Sequence, residues 1–132
     1  MRDIKSNVDA QPSINPGTFT ATESGAGVDL RDFDSAMVVF NAGTADTANA
    51  NETYIPSIEA SDDDGATDPY TAVAASDLDG DLSTILQNTT RRIGYKGNKR
   101  WIKGVLTLAG TTPSIDAGAM VMRGNPHQAP VA

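Results

Sequence analysis

Residues Arg100–Leu108 read RWIKGVLTL. Trp101, Lys103, Val105 and Thr107 fall on one side of an extended chain, and Ile102, Gly104, Leu106 and Leu108 on the other. Side chains alternate with period two in a strand, so this stretch predicts one. Its neighbours have strand length too: Thr89–Tyr95 (TTRRIGY) before it and Ile115–Val121 (IDAGAMV) after it. The Lys-Gly-Asn turn at 96–98 predicts a short hairpin between the first two. Ala109–Ser114 (AGTTPS) joins the second to the third.

Working outward, Ser35–Asn41 (SAMVVFN) holds Met37, Val38, Val39 and Phe40 in a row. Such a run predicts a strand covered on both faces. Val28–Phe33 alternates apolar and charged residues and predicts a short strand before it. Glu52–Ser61 is strand-like, but Pro56 cannot donate to a ladder, which requires a sheet edge or a bulge there. The acidic turn Ser61–Gly65 (SDDDG) and the stretch Tyr70–Ala74 then predict a hairpin around an acidic loop. In Ser76–Gln87, Leu78, Leu82, Ile85 and Leu86 fall at helical spacing, yet Gly80 is a poor helix residue, so a loop with one helical turn is expected. Six or seven strands without a long helix predict a mostly β protein: a single antiparallel β-sandwich, jelly-roll-like, over residues 27–123. Residues 1–26 carry Pro12, Pro16, Gly17, Gly25 and several Ser, Thr and Asn without a hydrophobic period, and predict an extended N-terminal arm. Ile4, Val8 and Ile14 would anchor that arm on a neighbour. Residues 124–132 predict a C-terminal tail.

The chain has 132 residues, enough to bury roughly two-thirds of its unfolded surface and so to build one core. It has no cysteine, which removes disulfides, thiolate metal sites and cysteine nucleophiles. Met1–Asn7 is polar, with no signal-peptide apolar stretch behind it. No apolar run approaches the ~20 residues of a membrane helix. A protein made and used in solution is expected, with no membrane partner. The net charge of −7 argues against nucleic acid as a partner, because phosphate binding needs a basic footprint.

Residue chemistry points away from catalysis. The single histidine, His127, lies in a Pro-flanked tail, where a catalytic base would lack ordered support. Gly25-Ala26-Gly27 is too short a signal for a phosphate loop. Asp77, Asp79 and Asp81 alternate as calcium ligands can, and Asp62–Asp64 form a second acidic turn. The calcium-loop spacing fails, however, with Gly80 at the fourth loop position and Asn88 at the twelfth. No aromatic platform accompanies the acids as a sugar cleft would need. No enzyme activity, cofactor, metal or small-molecule substrate is expected.

Charge is segregated along the chain. Asp32–Thr90 contains twelve of the seventeen acids and no Lys or Arg, whereas Arg91–Lys103 contains six of the ten bases and no acid. Arg91, Arg92, Lys96, Lys99, Arg100 and Lys103 could meet an acidic surface of a second molecule. Alternatively, the two stretches pair within one chain or are solvated. Trp101 is expected to be a core or interface anchor.

Five blocks carry a more specific resemblance: MRDIKSN (Met1–Asn7), GVDLRDFDSAMVV (Gly27–Val39), IEASDDDGATDPYTAVAASDL (Ile58–Leu78), GYKGNKRWIKGVLT (Gly94–Thr107) and VMRGNPHQAPV (Val121–Val131). Together they resemble a family of small head structural proteins of tailed phages and prophages. The resemblance implies a capsid decoration, or cement, protein of the virion surface, made in the host cytoplasm. It also implies a jelly-roll-like fold, the major capsid protein as partner, and a homotrimer at three-fold positions. A neck, connector or tail component is the nearest alternative, and a host-surface or glycan-binding β-sandwich a more distant one.

Overall fold

The computed structural model describes residues 3–131. Its strands are β1 (Val8–Phe19), β2 (Glu23–Ser24), β3 (Val28–Asp29), β4 (Phe33–Ala45), β5 (Thr53–Ser61), β6 (Thr71–Ala72), β7 (Leu78–Asp79), β8 (Thr90–Tyr95), β9 (Trp101–Ala109) and β10 (Ile115–Pro126). One sheet runs β1-β10-β4-β8-β7, and the other runs β2-β9-β5-β6 with β3 also on β9. Every pairing is antiparallel. The fold is a β-sandwich without an α-helix among the described residues; Ala75–Asp77 forms one 3-10 turn.

The two sheets bury their facing period-two sets against each other. Val38 and Phe40 of β4, Ile93 of β8 and Ala119 and Val121 of β10 come from the first sheet. Tyr54, Ile58 and Ala60 of β5 and Ile102, Leu106 and Leu108 of β9 come from the second. Gly104 sits at the centre, where a Cβ would approach Val38 at 3.2 Å and Phe40 at 3.3 Å. The absent side chain therefore sets how closely the sheets pack.

β5 lies between β9 and β6, but β6 pairs only with Glu59 and Ala60, so Pro56 sits on a stretch with no strand beside it on that side. The Tyr54 N–H donates to Thr84 Oγ1 at 2.9 Å, and the Tyr54 and Ile58 carbonyls accept from Ile85 and Val73. Even-numbered residues of β5 thus turn their backbone groups away from β9. The Pro56 nitrogen points to the same open side, between these two ties.

Three sequence expectations are corrected. Residues 1–26 are not an arm apart from the sandwich: β1 pairs along β10 from Val8 to Phe19, and Ile14 is only 3% exposed. Pro12 and Pro16 are tolerated because β1 is an edge strand with register shifts after Pro12 and after Ile14. Residues 124–132 are not a free tail: Gly124 and Pro126 pair with Ser35 and Phe33, the His127 N–H donates to the Asp32 carbonyl, and the Val131 N–H to that of Ser6. Met1, Arg2 and Ala132, the outermost residues of those two segments, lie outside the described residues. Finally, β8 and β9 form no hairpin. They belong to different sheets, and residues 96–100 cross between them. The Lys96 N–H donates to the Asp77 carbonyl, extending the β7–β8 ladder, and the Lys99 N–H then donates to the Tyr95 hydroxyl as the chain leaves.

Arg123 of β10 clips one end of the sandwich. Its guanidinium bonds the Asp9 carboxylate of β1 and donates to the Asp29 carbonyl of β3 at 2.6 Å. It also lies 4.4 Å from the centre of the Phe33 ring. Four strands meet on this one side chain.

Candidate interaction faces

The basic segment is mostly spent inside the chain. Arg91 donates to the carbonyls of Asp81, Ser83 and Thr84, and lies 3.5 Å from the Asp81 carboxylate. Lys99 bonds Asp68 and stands 3.8 Å from Asp62. Arg100 holds Asp29 through two hydrogen bonds of 2.7 and 2.6 Å. Lys103 faces Glu59 at 3.4 Å and covers the Tyr70 ring at 4.4 Å. Acidic and basic stretches that are separate in sequence are thus neighbours in space. Among the described residues, Arg92 and Lys96 are exposed and form no ion pair.

Titration follows these contacts. The Arg100 guanidinium, hydrogen-bonded to Asp29, holds that carboxyl at about 2. The Lys99 ammonium lowers Asp68, and Asp68 raises Lys99 in turn. In the acidic turn, the Thr67 hydroxyl and the Asp68 N–H hold Asp63 at about 2. Asp63 therefore organises its own loop: its carboxylate accepts from the Thr67 and Asp68 amides at 2.8 and 3.0 Å. Asp64 is taken by the Tyr70 hydroxyl at 2.7 Å. Among the described residues, no three Asp, Glu or His side chains converge as a metal site requires.

The remaining expected contact residues separate. Ile14 is core, Val8 is half-buried opposite Gly124, and Ile4 is 72% exposed. Ile4, Arg92 and Lys96 are thus the expected interface residues that the fold leaves open. Trp101 is half-buried, with the Arg100 guanidinium 5.8 Å from its ring centre.

A second face was not anticipated. The Met37–Phe40 run predicted a strand covered on both sides. Val38 and Phe40 do enter the core, but Met37 and Val39 point outward and are only half-buried. Cross-strand register places Pro12, Met120, Val39 and Arg92 in one row across the outer face of the β1-β10-β4-β8-β7 sheet. Ala10, Met122, Met37 and Gly94 form the next row. Met120 is 45% exposed, and a groove of about 600 Å³ runs across β1, β10 and β4 beside it. The sequence signal was present: β4 has no polar residue between Met37 and Phe40 on either side.

The chain is, by fold, an antiparallel β-sandwich protein. A solved structure with this fold is the SPBc2 prophage-derived protein YomS, at a TM-score of 0.50 and 12% identity; the likeness covers 92% of this chain and 99% of that one. A structure of infectious bursal disease virus, Gx strain, aligns at a TM-score of 0.46 and 14% identity, over 93% of this chain and 35% of that one. No protein-family model matches the sequence. No curated protein matches it.

Proposed function

We propose that this chain is a structural protein of a phage particle: a decoration protein that binds the outside of the major capsid shell and stabilises the head. The observation that carries the reading is the end-to-end correspondence of fold with a prophage-derived protein. The phage-head resemblance of the sequence blocks points the same way. The chemistry of the chain suits a binding role. Its carboxylates and bases are largely engaged in tying loops and strands together, and its single histidine sits at the surface on Asp34. A rigid body with one apolar outer face needs no catalytic group to act.

The basic segment has a narrower part in this reading than its sequence suggests. Arg91, Lys99, Arg100 and Lys103 hold the fold. Ile4 and Lys96 are left to touch the shell. The test is add-back of the purified chain to particles that lack it. The native chain should restore occupancy and resistance to heat. A double variant Ile4→Ser, Lys96→Ala should bind less at moderate salt. Failure of the native chain to bind the shell would remove the decoration reading.

A further inference from the structure

We infer that the outer face of the β1-β10-β4-β8-β7 sheet is a self-association surface, and that its occupant is a second copy of this chain packed face to face. This does not rest on the capsid reading. Three features of the face lead to it.

First, the face is apolar where a solvent face should be polar. Met37 and Val39 of β4 and Met120 and Met122 of β10 all point out of the sandwich. An antiparallel sheet with one wet face ordinarily alternates apolar-in with polar-out. Flexible methionines also suit a surface that must pack against a partner.

Second, the unpaired charges of the face lie on either side of the apolar rows: the cation Arg92 on β8, with the acid Asp79 of β7 opposite Gly94 at the same edge, and the acid Asp116 on β10 at the other. Arg92 is exposed on β8, opposite Val39. Asp116 is exposed on β10 beside Gly43, bonded only by the Thr18 hydroxyl. Among the described residues, neither forms an ion pair. Strand spacing puts them about 16 Å apart, with Asn41 of β4 near the midpoint. A two-fold axis in the plane of the face, through the neighbourhood of Asn41 and Pro12, carries each onto the other. Arg92 of each copy then meets Asp116 of its mate, twice per dimer, and Met120 meets Met120 near the axis. An isologous interface requires this self-complementarity.

Third, size sets the strength. Four strands spaced about 4.8 Å apart and about seven residues long give a face of about 450 Å² per copy in flat projection. The total of about 900 Å² lies below the roughly 1,200–2,000 Å² of stable complexes. The dimer should therefore be weak and dependent on concentration.

The experiment is sedimentation velocity of the full chain from about 10 μM to 1 mM, the range in which an interface of this size associates. A concentration-dependent monomer–dimer equilibrium is expected, weakening as salt rises. Met120→Glu should raise the dimer Kd about tenfold or more, and so should Arg92→Asp, which sets two like-charge contacts. The double swap Arg92→Asp with Asp116→Arg should restore dimerisation, which no loss of fold could imitate. A monomer throughout the range would overturn the inference and leave the face to another protein. So would association, two-fold or three-fold, that is indifferent to Met120→Glu and to the charge swap. Shell binding by a monomeric Met120→Glu variant would leave the capsid reading standing on its own.

Discussion

The Ser13 hydroxyl accepts the buried backbone N–H of Gly104 at 2.9 Å and donates to the Ala26 carbonyl at 2.8 Å. One side chain thereby joins the edge strand of the first sheet to the central strand of the second. It does so at the register shift that follows Pro12 in β1. The Ala26 N–H returns to the Ser13 carbonyl, and the Gly25 N–H to that of Gly104. The irregularity in β1 is thus what lets Ser13 turn inward and close one side of the sandwich.

Ser13→Ala leaves the Gly104 N–H without its partner in a buried place. An unsatisfied buried donor costs about 1–3 kcal/mol. Urea denaturation should show a lower midpoint with an unchanged slope, since the same surface is exposed on unfolding. An unaltered midpoint would mean that this stitch contributes nothing.

Gly104 is the second site of high sensitivity. A methyl group there would meet Val38, Phe40 and Ala119 at 3.2 to 3.4 Å. Overpacking of a well-filled core typically costs about 1–3 kcal/mol. Gly104→Ala should lower the stability by an amount in that range, seen as a lower melting temperature, and Gly104→Val by more. Combining Gly104→Ala with Phe40→Leu should recover part of the loss, because the introduced methyl gains room.

Acid should loosen the fold through particular carboxylates. Asp29 and Asp63 are held at about 2 in the folded chain, below the ordinary 3.8. Each therefore contributes stability that is complete above about pH 4 and is lost as pH falls toward 2. Melting temperatures measured down that range should drop, and Asp29→Asn should flatten the drop while lowering stability at neutral pH. Arg100→Gln should behave as Asp29→Asn does, because the pair acts as a unit.

His127 works in the opposite sense. Its Nε2 lies 2.8 Å from Asp34, and that contact raises its pKa above 6.5. A raised folded value gives stability that is present below about pH 6.5 and disappears as pH rises through the folded pKa. NMR titration of the single imidazole should show the elevated midpoint, and Asp34→Asn should bring it back toward the ordinary value. An Asp34→Asn titration identical to the native one would show that the pair does not form in solution.

The sandwich was legible because its core strands carry strong period-two signals. Val38 with Phe40, and Ile102 with Leu106 and Leu108, needed nothing but alternation to be read. Pro56 marked a gap in the ladder, on the side of β5 that β6 does not reach, because a missing donor is a local fact. Other features depended on partners far away in sequence. The strand character of Val8–Phe19 is hidden by two prolines and becomes visible only when β10 lies beside it. Residues 96–98 have the composition of a hairpin turn, and nothing local reveals that Tyr95 and Trp101 belong to different sheets. The charge split was correctly seen as a contrast along the chain, but pairs such as Asp29 with Arg100 close over 71 positions. The outer face was misjudged for an instructive reason. The apolar run in β4 demands cover on both sides, and a single chain supplies only one.

The most direct test of the account is the amount and place of this protein in purified particles, by quantitative mass spectrometry together with cryo-electron microscopy. Copies should stand in a fixed ratio to the major capsid protein, spread over the outer shell as density of sandwich shape. A single ring of copies at one vertex, or absence from the particle, would contradict it.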